Sequence, residues 1–400
     1  MARILVVHIR YPEHDRCSGD LRLTNFLRIL AEKHEVALHL LYQTPDYATA
    51  PENTHYRDLL EKSGVKVVAG SLRTHLNSAQ YDAVVVEFWY VAKNIIRDIR
   101  ILQPQARVII DTEHIYFYSD YWKAKTLGYP LNTPASVAKK AAELDVYRRA
   151  DLVLAVTEED RRVLLAEDAS LKIGVLPNIH DIPELAPDAD LHRVPNRLVF
   201  VGNFSNNPAN TDAMLWFCRE VMPLVQKQIP QTHLQIVGNK PTPEVERLAS
   251  TSIEVTGFVP DVAPYLLASS VSICPLRFGA GLKGKIGEAM MYGLPVVTTS
   301  IGTQGMEARH SDNMMVGDTP ADFAAGIVAL LRNESLRARV AQNGRRFIID
   351  KYSYTAVQQS VTAMVSALDT VPIQTYGVLK RQFYRHLDGI IQYIRWRFGT

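Results

Sequence analysis

VSICPLRFGAGLKGKIGEAMMYGLPVVTTSIGTQG, residues 271–305, reads as a strand ending at Pro275, a turn, a helix through Glu288, Ala289 and Met290, and a second strand after Gly293 and Pro295. The turn carries Gly279, Gly281 and Gly284 around Ala280 and Leu282. Glycines let backbone approach a ligand closely, and the free amides at a helix N-terminus are ready donors to phosphate. Arg277, Lys283 and Lys285 add three cations within nine residues, so a diphosphate suits the turn. Glu288 follows Lys285 by about one helical turn and shares its face, placing a carboxylate where a ribose diol beside the phosphates would lie. The competing reading is a surface Lys285–Glu288 ion pair.

The same strand–helix beat recurs on either side. Near-continuous apolar runs at Arg3–Ile9, Ala83–Val86, Arg107–Asp111, Asp151–Val156, Arg197–Gly202, His233–Gly238, Val271–Pro275 and Pro295–Thr299 have the length and composition of parallel strands buried on both faces. Helical spacing fills the gaps, as in Leu21–Lys33 and Ala213–Gln226. The fold class expected is α/β, two doubly wound, Rossmann-like domains facing a central cleft where the carboxyl ends of the strands bind ligands. The stretch 177–196 holds four prolines in twenty residues and no periodicity. The organisation expected is a first domain over 1–178, a linker over 179–196, a second domain over 197–352, a crossover helix over 353–372 and a tail over 373–400.

Of the 400 residues, 44 are Lys or Arg and 42 Asp or Glu, a net charge of +2 that is too small for a surface built to bind nucleic acid. The three cysteines, Cys17, Cys218 and Cys274, are scattered, which argues against disulfides or structural zinc and for a reducing cytoplasm. The N-terminal run lacks the small-residue cleavage site of a secretory signal, and no apolar stretch reaches the ~18 residues that cross a bilayer.

In its order of motifs the chain resembles the retaining glycosyltransferases of the GT-B fold, family four, over most of residues 1–365. That family's donor site reads Glu, seven residues, Glu, then Ala-Met-Ala-x-Gly-x-Pro-Val-Val. Here Glu288 is the second Glu, followed by AMMYGLPVV, while Ala280 stands where the first Glu belongs. The strand and loop LVFVGNFSNN from Leu198 match the opening of the family's C-terminal domain, with Gly202 kept and Asn203 in the place of a diphosphate-binding Arg. The resemblance implies that backbone near Phe258 and Val259 meets the nucleobase and that SIGTQG, with Thr303 and Gly305, faces the donor sugar. Ser18 and Gly19 stand where the family has a Gly-Gly turn on the donor phosphates, and His114 where it often has a His near the anomeric carbon.

The activity implied is transfer of a sugar from a nucleoside diphosphate sugar to a hydroxyl acceptor, a sugar, lipid-linked or glycoconjugate, with no metal and no cofactor. Lys285, Glu288 and His114 are the expected catalytic set, with Lys285 and its basic neighbours stabilising the departing diphosphate. Glu87, Glu113 and Tyr116 are acceptor-side candidates; the aromatic cluster from Tyr116 to Trp122 reads equally as helix packing. Asp188-Ala189-Asp190 spells a metal signature, but in a proline-rich linker without a preceding strand it reads as solvated acids. The tail beyond Tyr376 is basic and amphipathic, with Lys380, Arg381, Arg385, Arg395 and Arg397 against Asp388, a profile for a membrane surface, the protein's own first domain or a second subunit. A non-catalytic nucleotide-sugar-binding scaffold and a sugar-nucleotide epimerase or phosphorylase remain alternatives.

Overall fold

The computed structural model describes residues 1–185, 193–205, 207–279, 281–307, 309–377 and 382–384. Ala280, Asp188–Asp190 and nearly all of the basic tail lie outside the described residues.

Two all-parallel sheets follow one another along the chain. Strands β1 (Arg3–His8), β2 (Glu35–Leu40), β3 (Val65–Ala69), β4 (Ala83–Glu87), β5 (Arg107–Asp111), β6 (Leu152–Ala155) and β7 (Ile173–Val175) pair in the order β3-β2-β1-β4-β5-β6-β7. Strands β8 (Arg197–Val201), β9 (His233–Val237), β10 (Ile253–Gly257), β11 (Val271–Cys274), β12 (Val296–Thr298) and β13 (Met315–Val316) pair as β10-β9-β8-β11-β12-β13.

The apolar runs are continuous because both faces of each sheet are covered. Along β1, Leu5 and Val7 enter the cluster formed with the helices Trp89–Leu102 and Pro134–Arg148, while Ile4 and Val6 enter the one formed with the helix Ser18–Ala31. The helix Tyr354–Ala367 packs Val357, Val361 and Val365 on that second cluster, although it follows the whole of the second sheet. The segment expected as one helix over 213–226 is divided into Pro208–Trp216, a π-helical turn Phe217–Val221 and Met222–Gln228. Pro223 accounts for this: it has no N–H to continue the ladder and is accommodated at a helix start.

A buried ion pair fixes the helix that reaches the cleft. Arg22, 1% exposed, donates to both carboxylate oxygens of Asp111 at 2.9 and 2.8 Å and to the carbonyl of Leu176. It ties the helix Ser18–Ala31 to the end of β5 and to the chain leaving β7. Removing one member of such a pair leaves a buried charge unmatched, at a cost of about 3–5 kcal/mol. Asp111→Asn is therefore expected to lower urea-unfolding stability by that amount, whereas Arg22→Met combined with Asp111→Leu should recover much of the loss. A single variant as stable as the parent would contradict this role.

Candidate functional site

The carboxyl ends of both sheets meet, and backbone without side chains lets them do so. An ideal Cβ on Gly284, the first residue of the helix Gly284–Met291, would lie 2.4 Å from the Cβ of Ser18, the first residue of the helix Ser18–Ala31. The Cβ position of Gly281, at φ +71°, is 3.2 Å from that of His114. Two helix N-termini from different sheets thus open on one place, and their unpaired amides make it electropositive. Three polar contacts close the same seam. The hydroxyl of Thr126 donates to the carbonyl of Arg277 at 2.8 Å, the N–H of Gly305 to the Glu159 carboxylate at 2.9 Å, and the Arg16 guanidinium stands 5.7 Å over the ring of Phe258.

The cations of the turn divide into two kinds. Arg277 is held by Asp212 through both Nε and Nη2 and is already neutralised. Lys283 is 8% exposed and donates to the carbonyl of Gly281 at 2.6 Å, and burial lowers its pKa to about 8. Lys285 donates to the side-chain oxygen of Asn210 and lies 4.4 Å from the centre of the Phe200 ring, with its pKa also lowered by burial. Among the described residues neither lysine has a carboxylate partner; in particular Lys285 makes no ion pair with Glu288. Both ammonium groups thus hydrogen-bond only to neutral partners, Lys283 buried and Lys285 half-buried, with Asp160 and Glu288 acting on them from beyond ion-pair distance, so that an added anion is favourable there.

Glu288 is pushed up to about 7 by burial, with Lys285 pulling the other way, so near neutral pH it exchanges a proton readily. His114 is lowered to about 4, by burial first and by Lys283 next, and stacks on Tyr116 at 4.1 Å. At pH 7 it is a neutral imidazole, suited to hydrogen bonding and unsuited to acting as an acid. Asn203 does not extend toward a phosphate: its side chain accepts from the N–H of Ser205, and its carbonyl accepts from Asn210. The strand end at Gly202 lies 3.0 Å from the Lys285 ammonium when measured from an ideal Cβ. Gly279 and half-buried Leu282 complete the described turn, and Thr303 closes its own loop by donating to the Ser300 carbonyl.

On the facing sheet, Glu113 lays its carboxyl over Gly19 and is raised to about 8 by burial. Glu87 at the end of β4 is buried against His8 of β1; burial raises the Glu87 carboxyl well above its usual range and lowers His8 to about 4. Phe258 is 49% exposed, and Val259 lines a cavity of about 480 Å³ with Arg197, Gln235 and Tyr265.

Asn210, Asp212 and Glu159 escape sequence reading although they set the state of the site. FSNNPANTDA does mark a helix start through Pro208, but nothing in it says that Asn210 and Asp212 reach residues 65 to 75 positions away.

Residues 195–333 match the family model described as glycosyl transferases group 1. The fold is similar to that of HepE from Anabaena, solved with UDP and glucose: TM-score 0.68 and 15% identity, covering 92% of this chain and 100% of that one. Sucrose-phosphate synthase from Thermosynechococcus elongatus is similar at TM-score 0.69 and 13% identity, over 93% of this chain and 100% of that one. A Klebsiella pneumoniae protein described as an uncharacterized 44.6 kDa protein in the cps region is 25% identical, covering 90% of this chain and 99% of its own length. The architecture is the GT-B fold.

The seam itself can be tested. Gly284→Ala should force Ser18 and the turn apart, an overpacking cost of about 1–3 kcal/mol, and lower the melting temperature by roughly 2–4 °C per kcal/mol. Adding Ser18→Gly removes both of the tight contacts, leaving the Asn178 side chain at 3.3 Å as the next neighbour, and should recover most of the loss. A double variant no better than Gly284→Ala would show that these helix ends do not meet in solution.

Proposed function

We propose that the protein transfers a sugar from a nucleoside diphosphate sugar to a hydroxyl acceptor, with retention of anomeric configuration and without a metal ion, in the assembly of a cell-surface polysaccharide or glycoconjugate. One observation carries the reading: Lys283, buried, and Lys285, half-buried, stand at a glycine turn between two helix N-termini and have only neutral hydrogen-bond partners among the described residues. A diphosphate supplies the missing charge. Support comes from the glycosyltransferase model matched by 195–333 and from HepE, which holds UDP and glucose on the same fold. The Klebsiella relative in a cps region supports the polysaccharide setting.

In this reading the donor diphosphate lies on the amides of Gly281 to Gly284 and of Ser18 and Gly19, with Glu288 accepting from the ribose. As the bond from the sugar to the diphosphate breaks, negative charge grows on the leaving oxygens, and Lys285, Lys283 and the two helix ends stabilise it where water is excluded. Both lysines are already held by hydrogen bonds to fixed neighbours, so little reorganisation accompanies the reaction. His114 faces the turn from the other sheet as a neutral hydrogen-bonding group for the donor sugar. Glu113 and Tyr116 stand on the side from which the acceptor hydroxyl enters, while Glu87, buried against His8, lies behind them. Binding of a nucleobase by Phe258 and Val259 and of the sugar by the loop through Thr303 and Gly305 belongs to the same reading.

Two measurements test it. Lys285→Ala should lose about a hundredfold in turnover with a UDP-sugar donor while keeping the parental circular dichroism spectrum; near-normal turnover would remove Lys285 from the mechanism. For the unliganded enzyme, kcat/KM for the donor should rise through about pH 7 as Glu288 ionises and fall above about pH 8 as Lys283 loses its proton. Glu288→Gln should abolish the rising limb and leave the falling one; a rising limb that persists would assign it to another group.

A further inference from the structure

The helix Tyr116–Leu127 packs Tyr116, Phe117 and Tyr118 partly buried against the first-sheet core and buries none of its residues fully. It ends at Gly128 in the left-handed conformation, and an exposed tip, Gly128 to Asn132, leads into the helix Pro134–Arg148, capped by Thr133. Among the described residues twelve large apolar side chains are exposed, and this hairpin gathers four of them in seventeen positions: Tyr121 (41%), Tyr129 (58%), Leu131 (43%) and Val137 (53%). Patches so concentrated mark interaction sites.

The charges of the hairpin say what kind of partner fits. Lys139 is paired with Asp120, Lys140 with Glu167, Arg148 with Asp168 and Arg149 with Asp145. The Glu143 carboxylate turns inward to the N–H groups of Tyr116 and Phe117. Among the described residues this leaves Lys123 and Lys125 as the hairpin's cations without an acid, Lys125 lying 4.6 Å from the centre of the Trp122 ring. A two-fold contact with a second copy would set these cations against themselves. The chain's own tail carries five basic residues to one acid between 380 and 397 and would be repelled as well.

We infer that the hairpin 116–137 docks on an anionic phospholipid surface, with Tyr129, Leu131 and Val137 entering the interface and Lys123 and Lys125 facing the headgroups. Tyrosine and tryptophan beside lysine is the composition that settles at the boundary between headgroups and acyl chains. Among the described residues no helix is long and apolar enough to cross a membrane, so the contact is peripheral. Thr126 ties the hairpin to the Arg277 carbonyl, which holds the bilayer next to the seam.

The test is co-sedimentation of the full chain with phosphatidylcholine vesicles, with and without phosphatidylglycerol, at low and high salt. Binding should require phosphatidylglycerol, weaken as salt rises, and fall about fivefold per lysine in Lys123→Glu and Lys125→Glu. The combined variant Tyr129→Ser, Leu131→Ser, Val137→Ser changes only exposed side chains, so its melting curve should match the parent's while vesicle binding is lost. Undiminished binding by that variant would overturn the proposal. So would a parental dimer, seen by analytical ultracentrifugation, that the triple variant converts to monomer without any binding to vesicles. None of these readings depends on catalysis, so they stand apart from the outcome at Lys285.

Discussion

Two helix N-termini, at Ser18 and at Gly284, approach until the Ser18 side chain fills the space that a Cβ on Gly284 would need, and much of the structure is arranged around that approach. The positive ends of both helices fall on one spot, and the turn at Gly281 is pressed against His114 of the other sheet. A side chain at either glycine would wedge the seam apart. The Arg22–Asp111 pair makes the approach reproducible, because it locks the first helix to β5 and to the exit of β7 with no solvent to loosen it.

The site concentrates positive potential instead of neutralising it. Arg277 is satisfied by Asp212, but buried Lys283 rests on a carbonyl and half-buried Lys285 on an amide, and the nearest carboxyl on their own helix, Glu288, is raised toward neutrality. Burial lowers the lysines and lifts Glu288 for one reason: each charged form loses its hydration. In the proposed transfer, such an arrangement favours a dianionic leaving group more as its charge develops, and this difference is what transition-state stabilisation uses.

Much of the fold was legible because parallel strands covered on both faces leave an uninterrupted apolar signature, and β1, β4, β5, β6, β8, β9, β11 and β12 all carry it. The strands that escaped have physical reasons to. β3 and β10 are sheet edges whose side chains are largely half-exposed, β2 carries a buried His39 amid its apolar residues, β7 is three residues long with a central Gly174, and β13 is only two. In the site, the glycine turn and Lys285 could be read from spacing alone. That Arg277 is spent on Asp212, that Asn210 holds Lys285, and that Glu159 reaches Gly305 could not, since each joins segments at least 65 residues apart.

The central claim is that the seam binds a diphosphate through charge left uncompensated on Lys283 and Lys285. Calorimetric titration of the intact chain with UDP and with uridine, at low and moderate salt, addresses it most directly. The account predicts binding of UDP that weakens as salt rises, with uridine bound at least tenfold more weakly because the charge carries the affinity. Equal affinity for UDP and uridine, or UDP binding unaffected by salt, would contradict it.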